Sequence, residues 1–317
     1  MLAERLLHDF PALSGLLAEN LESIPDDRDL CDLAEALYRF LLRDRPEDSR
    51  LLERLGETCH LRRRLAEAGD WYLASLAFSP PEKPSAAVTE KVLRYAPALL
   101  TTESEFFALR DVAAIHHPSE PLIVYHLFWE DDYNFPDDYD PCDHEQVWVR
   151  YNPEGNDVTA VHTFFHSLIL NSPSACGEAN DNEGSPLIRV EWGLHGSLPH
   201  GWEELRSPLD DRPIPELLEL NYRSVSLGGR VPDHPLKQSW PKRFPGTFDD
   251  YKRFDRQVNT VDLLRNNKMI MVSERSNAVI QQYFLRYNFA PKYDWPFTQN
   301  SLSRKFIGKK HTHENTV

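Results

Sequence analysis

The 317-residue chain is short of the features that usually announce an activity. Four cysteines, Cys31, Cys59, Cys142 and Cys176, lie scattered with no C-x-x-C pair, which argues against a disulfide framework and against a thiolate zinc knuckle. No apolar run approaches the ~20 residues that span a bilayer, so membrane insertion is not expected. The start, Met1–Phe10, has neither the basic opening nor the apolar stretch of a secretory leader, and a cytoplasmic protein is expected. Basic residues are outnumbered, 35 against 50 acids for a net charge of −15, and they gather only in the tail at Arg304, Lys305, Lys309 and Lys310. A nucleic acid is therefore not an expected partner. Neither G-x-G-x-x-G, a phosphate-binding G-x-x-x-x-G-K-S/T nor G-x-S-x-G occurs, which removes the usual sequence support for nucleotide binding and hydrolase-elbow chemistry. Glycine is scarce at 13 residues, while proline reaches 24 and crowds after residue 80, so ordered loops and short strands are expected there.

The first hundred residues are rich in Leu, Ala, Arg and Glu at helical spacing, with a 34-residue period. Ala34, Tyr38, Leu41 and Pro46 return as Ala68, Tyr72, Ser75 and Pro80, while Leu52, Leu55-Gly56 and Cys59 fall on the first-helix positions of the second unit. Small residues let paired helices approach, Tyr fills the gap between hairpins, and Pro closes each unit because it cannot continue a helix. The pattern resembles a short tetratricopeptide array over about 1–98, with a helix around Ala86–Tyr95 as its last element. Such a repeat either recruits a protein partner in its groove or packs against the rest of the chain.

From about residue 99 the period changes to two. Leu122–Trp129, Gln146–Tyr151, Val158–Leu170 and Leu187–Trp192 read as strands of a largely antiparallel sheet or sandwich. Alternation places Asp143 and Glu145 on one face with Val147 and Val149, and His144 on the other with Trp148. His162 and His166 share a face about 13 Å apart along a straight strand, and His195 lies between Gly193 and Gly196 where a sharp turn can aim it across the sheet. Histidine with carboxylate on three successive strands is the donor mixture that zinc, iron or manganese requires.

At these residues the sequence resembles the plant vacuolar-sorting-associated and necrosis-inducing-protein-like domain family. The resemblance rests on Arg94-Tyr95-Ala96-Pro97, the aromatic strand Val124–Trp129, the strand start Asp143-His144-Glu145, His166, and Gly193-Leu194-His195-Gly196-Ser197, over about 94–203. It implies a β-sandwich with a divalent-metal site, its matching ligand positions being Asp143, Glu145, His166 and His195. The toxins' full heptapeptide is missing and a helical repeat stands in place of a secretion signal, so membrane lysis does not carry over.

The stretch from Glu130 to Asp143 holds seven acids and no Lys or Arg; it lacks the glycine and glutamate spacing of an EF-hand and reads as a solvated loop or a lid over the histidine cluster. Helices are expected over Ser273–Tyr287 and Asp249–Leu264, with extended arms at Asp233–Leu236, Trp240–Gly246 and Tyr287–Pro291, and with His234, Lys242 and Arg243 as candidate substrate contacts. The resulting expectation is an α+β chain: tetratricopeptide-like hairpins over 1–98 docked on a mainly antiparallel β-sandwich over 99–300, then a polar tail over 301–317 whose His311 and His313 are incidental. The leading function is a metal-dependent enzyme acting on a small molecule, using zinc, iron or manganese, with His162 or His144 as general base. The rival is a non-catalytic adaptor that uses the helical repeat to recruit a protein.

Overall fold

The computed structural model describes residues 27–135, 142–229, 231, 234–267, 269–284 and 291–296. In chain order the described elements begin with helices α1 (Asp27–Asp44), α2 (Ser49–Leu61), α3 (Leu65–Phe78) and α4 (Ala86–Arg94). Strands β1 (Ala98–Thr101), β2 (Leu109–His116), β3 (Leu122–Trp129), β4 (Asp143–Tyr151), β5 (Val158–Phe165) and β6 (Leu168–Asn171) follow. Helix α5 (Pro173–Asp181) leads to β7 (Leu187–Val190) and β8 (Ser197–Leu198), then α6 (Ile214–Ser226), α7 (Phe248–Tyr251), β9 (Arg256–Asn259), α8 (Val261–Asn267), β10 (Ile270–Val272) and α9 (Ser276–Phe284). The fold is mixed α+β, helices first and strands after. Among the described residues no helix is long and apolar enough to cross a membrane.

Two compact units divide the chain: one holds the described residues up to Glu82 together with those from Ser273 onward, the other holds Lys83–Val272. The division differs from the expected 1–98 and 99–300. Helix α4 belongs to the second unit, and the C-terminal helix α9 belongs to the first.

The first unit packs α1, α2, α3 and α9. Asp48 caps α2 by accepting from the Arg50 and Leu51 amides at 3.1 and 3.2 Å, which satisfies donors the helix itself cannot. Ala34, Tyr38, Leu51 and Leu55 form one buried cluster, and Cys59, Ala68, Tyr72 and Ala278 another. Gly56 is required by close approach: a Cβ there would lie 2.6 Å from the Tyr72 ring. Helix α9 is fixed by polar contacts. Arg275 donates to Glu53 at 3.1 Å, the Ala278 amide donates to Glu53 at 3.0 Å, and Asn277 donates to Glu57 at 2.8 Å.

The second unit contains two mixed sheets. One has the order β10-β2-β3-β4-β5-β6, antiparallel except for the β10–β2 pair; the other has the order β8-β7-β1-β9, with β1 and β7 parallel. One core cluster draws from both: Leu99, Ile188 and Val190 from the smaller sheet meet Val112, Ile123, Tyr125, Leu127, Val147 and Val149 from the larger. Strand β3 coincides with the expected Leu122–Trp129. The expected single strand Val158–Leu170 is instead a hairpin, because His166 and Ser167 adopt left-handed backbone with φ of 45° and 75° and turn β5 into β6. The expected helix Asp249–Leu264 is broken into α7, β9 and α8; β9 pairs with β1 over Ala98–Thr101, so sheet pairing overrides local helical propensity. The expected helix Ser273–Tyr287 is described as Ser276–Phe284.

Candidate functional site

The site is assembled by the turn between β7 and β8. In Glu191–Gly196 the His195 amide donates to the Glu191 carbonyl at 3.2 Å and the Glu191 amide donates to the Gly196 carbonyl at 3.1 Å. Gly193 and His195 both take left-handed backbone, φ 68° and 54°. Outside contacts hold this turn: Glu105 accepts from the Gly193 amide at 2.7 Å, the Tyr133 amide donates to the Gly193 carbonyl at 2.8 Å, and the Trp192 indole donates to the Ser104 carbonyl at 2.8 Å.

The turn presents two carboxylate–histidine pairs. In the first, His195 Nδ1 lies 2.8 Å from Asp143 Oδ2. The imidazole is fully buried, stacks on the Trp129 ring at 4.3 Å and 4°, and meets Phe107 at 5.7 Å. Among the described residues its Nε2 has no hydrogen-bond partner, and Glu105 Oε1 stands 3.8 Å away. Burial opposes a charge on this ring, but the Asp143 hydrogen bond and the nearby Glu105 and Asp143 carboxylates outweigh it and raise His195 to about 10. Next to it, burial and the Asp143 carboxylate hold Asp132 well above the usual carboxylate range, and burial lifts Asp131 to about 6 despite Lys237 at 3.6 Å. Carboxylates outnumber cations in this cluster.

In the second pair His166 meets the fully buried Glu191. Glu191 Oε1 accepts from Asn221 at 2.9 Å, and the Tyr251 hydroxyl lies 3.5 Å off. Only glycine fits at 196: a Cβ would collide with Glu191 Oε2 and lie 2.6 Å from His166 Nε2. Both site histidines therefore stand in left-handed backbone, a strained setting for residues other than glycine.

Of the four expected ligands, the structure brings Asp143 and His195 into contact. Glu145 is buried two residues further along β4 on the Asp143 face, opposite Leu127, and His166 joins the same turn through Glu191. The expected bases lie elsewhere. His144 pairs across the sheet with Phe128 and sits 2.9 Å from His126, and His162 pairs with Trp148. Alternation turns both away from the Asp143 face. Burial pushes His162 down to about 4, and its Nε2 lies 3.1 Å from Asn171. The His195 ring is enclosed between Trp129 and Phe107, so packing as well as any ligation depends on it.

Glu105, Asp132, Glu191, Asn221 and Lys237 were not expected. Glu191 was legible in principle, four residues before His195 with Gly193 between; the others come from distant segments with no motif of their own. His234 accepts from the Leu236 amide within its own turn, and Arg243 lies near Gly228. Residues 136–141 of the acidic loop, and His311 and His313, lie outside the described residues.

Among the described residues of the first unit, Glu35, Cys59 and Glu67 offer three metal-type donors within 4.8 Å of one another. Their surroundings oppose a cation. Arg39 and Arg64 pair with both carboxylates, Arg62 pairs with Glu35, and burial lifts the Cys59 thiol to about 11, which keeps it protonated. Compared with family models, with curated proteins and with solved structures, the chain finds no match in any of the three.

Proposed function

We propose that residues 83–272 form a β-sandwich enzyme domain that holds a divalent metal beside the β7–β8 turn and acts on a small molecule. The observation that carries this reading is the buried His195 imidazole, its Nδ1 oriented by Asp143, its Nε2 without a hydrogen bond among the described residues and 3.8 Å from Glu105 Oε1, amid more carboxylate than cation. A carboxylate-oriented histidine is the usual support of a metal-binding imidazole. His195 would hold the ion through Nε2, with Glu105 the carboxylate nearest that atom, while Asp143 would keep the imidazole oriented from Nδ1; Asp132 and, next along the strand, Glu145 add negative charge around it. The mixture of imidazole and carboxylate suits zinc, iron or manganese. When bound, the ion would polarise substrate or activate water.

The residues of the chain have distinct parts in this reading. Glu105 fixes the turn through the Gly193 amide and the amides of Phe106 and Phe107, each at 2.9 Å. Trp129 and Phe107 exclude water from the His195 ring. His166, oriented by Glu191 and 14% exposed, replaces His162 and His144 as the group placed to hold or accept a proton on the site's side of the sheet.

The helices before Glu82 support a companion proposal, that they are tetratricopeptide-like hairpins. Ala34, Tyr38, Ala68 and Tyr72, the repeated positions, are all buried, and Gly56 sits against Tyr72 as close helix pairing requires.

Metal analysis of the full chain after loading with zinc, iron or manganese and gel filtration tests the enzyme reading. About one ion per chain is expected, with retention lost in His195→Ala and Asp143→Ala and kept in His162→Ala. No retained metal, or full retention by both of the first two variants, overturns it.

A further inference from the structure

The Glu191–His166 pair has supports that come from two further elements. Along α6 the fully buried Ile214, Leu218 and Val225 repeat at helical spacing, and Asn221 stands on the same inward stripe, three residues after Leu218 and four before Val225. A polar residue on a buried stripe needs a hydrogen-bond partner. Its side-chain amide donates to Glu191 Oε1 at 2.9 Å. The second support is Tyr251, the last residue of α7, a one-turn helix begun by the reciprocal cap of Thr247 and Asp250. Its ring is fully buried against Phe244 and Tyr222, with centroids 5.1 and 5.6 Å away, and its hydroxyl lies 3.5 Å from the same Glu191 oxygen. Burial and the neighbouring Glu191 hold this phenol well above its usual range, so it keeps its proton and faces the carboxylate as a donor.

The two oxygens of Glu191 are thereby divided. Oε1 takes the donors of Asn221 and Tyr251, which leaves Oε2 to His166 Nε2. A carboxylate oxygen set against one imidazole nitrogen fixes the proton on that nitrogen, and the lone pair of a neutral ring then belongs to the other. Gly196 confines the pair from a third side, since a Cβ there would lie 2.6 Å from His166 Nε2. His166 itself is kept at φ 45° in the turn from β5 to β6, and strained backbone of this kind persists where the surroundings over-determine it. Glu191 is fully buried while 14% of the His166 side chain is exposed. The ring, not the carboxylate, is what an incoming molecule meets.

We propose that Asn221 and Tyr251 are positioning residues acting through Glu191: together they fix His166 as the Nε2–H tautomer and make Nδ1 the nitrogen that takes a proton from the bound molecule. The proposal rests on the reading of His166 as the proton-holding group of the site. The transfer is a single step in which an O–H or N–H bond of the small molecule breaks, an Nδ1–H bond forms, and the resulting imidazolium charge is set beside the Glu191 carboxylate. The molecule accepted there therefore carries an acidic O–H or N–H.

Nitrogen NMR of the full-length, metal-free chain carrying isotope-labelled histidine reads the tautomer, with His166 assigned by its loss in His166→Gln. Neutral His166 is expected as Nε2–H in the wild type and as a mixture of both tautomers in Asn221→Leu, with a smaller change in Tyr251→Phe. Acylation of His166 by diethyl pyrocarbonate, followed by mass spectrometry, is the second readout. It should slow about tenfold in Asn221→Leu, the size of loss expected when a histidine loses the partner that orients it, while the exposed His200 reacts as before. A merely structural role would lower the melting temperature and leave both readouts in place. Wild-type His166 found as Nδ1–H, or a wild-type tautomer and acylation rate in both variants, overturns the proposal; should Asn221→Leu not fold, Tyr251→Phe decides on the same readouts. A wild-type chain that retains no zinc overturns the metal reading instead, and the tautomer then decides this proposal alone.

Discussion

Each unit buries a charged cluster, and the two are resolved in opposite ways. In the first, Glu53, Glu57 and Asp294 face Arg54 and Arg275, and the remaining oxygens take amide donors: Asn277 on Glu57, the Ala278 amide on Glu53, the Asn277 amide on Asp294 at 2.8 Å. In the second, carboxylates gather around one imidazole whose Nε2 has no hydrogen bond among the described residues. Two guanidiniums with several fixed donors neutralise buried acids permanently. An imidazole does so only while it keeps its proton. The difference separates a cluster that locks a helix in place from one whose neutralising charge depends on a single proton.

The comparison breaks most sharply at Arg275. Replacing it by Met leaves Glu53 and Asp294 buried without their main cation, and a loss of about 3–5 kcal/mol is expected for such a broken pair; a large fall in midpoint by scanning calorimetry checks this. An unchanged midpoint would mean that the network is ornamental to the first unit.

The next effect is in pH, where two histidines of the second unit bend stability in opposite directions. His195 is raised to about 10 in the folded chain, above its ordinary 6.5, so its contribution is complete below about 6.5 and is lost as pH climbs towards 10. His162 is lowered to about 4, so its contribution is complete above about 6.5 and is lost as pH falls towards 4. Each unit of pKa difference corresponds to about 1.4 kcal/mol. Urea midpoints of chelator-treated protein should therefore fall on both sides of neutrality, with His195→Gln flattening the alkaline limb and His162→Gln the acid limb.

Gly196→Ala forces a methyl group between Glu191 and His166 and should cost about 1–3 kcal/mol, as overpacking does. Thermal melts check the loss, and a neutral result would mean that the two carboxylate–histidine pairs do not need their shared turn. The smallest effect is expected at Arg223, paired with Glu219 at 2.6 Å on the exposed face of α6. Arg223→Ala should shift stability by no more than about 0.5 kcal/mol, which sets the exposed ion pair as the baseline for the buried ones.

Legibility followed range. The period-two runs located β3 and the buried face of β4, and the alternation that joined Asp143 to Glu145 and set His144 apart is that of the strand itself. The repeated Ala and Tyr positions of the helices are buried, since a helical face is written in local spacing. What failed was long-range. The hairpin at His166–Ser167 carries no local signal, because neither residue is the glycine or asparagine that normally marks such a turn. Asp249–Leu264 has helical spacing throughout, and nothing local announces that β1 will claim Arg256–Asn259 as a sheet neighbour.

By itself the sequence determined that helices lead and strands follow, the change of period near residue 99, and the concentration of histidines in one third of the chain, because composition and periodicity are properties of neighbours along the backbone. Which histidine meets which carboxylate was decided only by the tertiary structure. His195 meets Asp143 across 52 positions and Glu105 across 90, and His166 meets Glu191 across 25. Those separations are closed by sheet register and by the β7–β8 turn. The proton affinity of each histidine then follows from burial and from the charges that folding sets beside it, raised to about 10 at His195 and lowered to about 4 at His162 in chemically identical side chains.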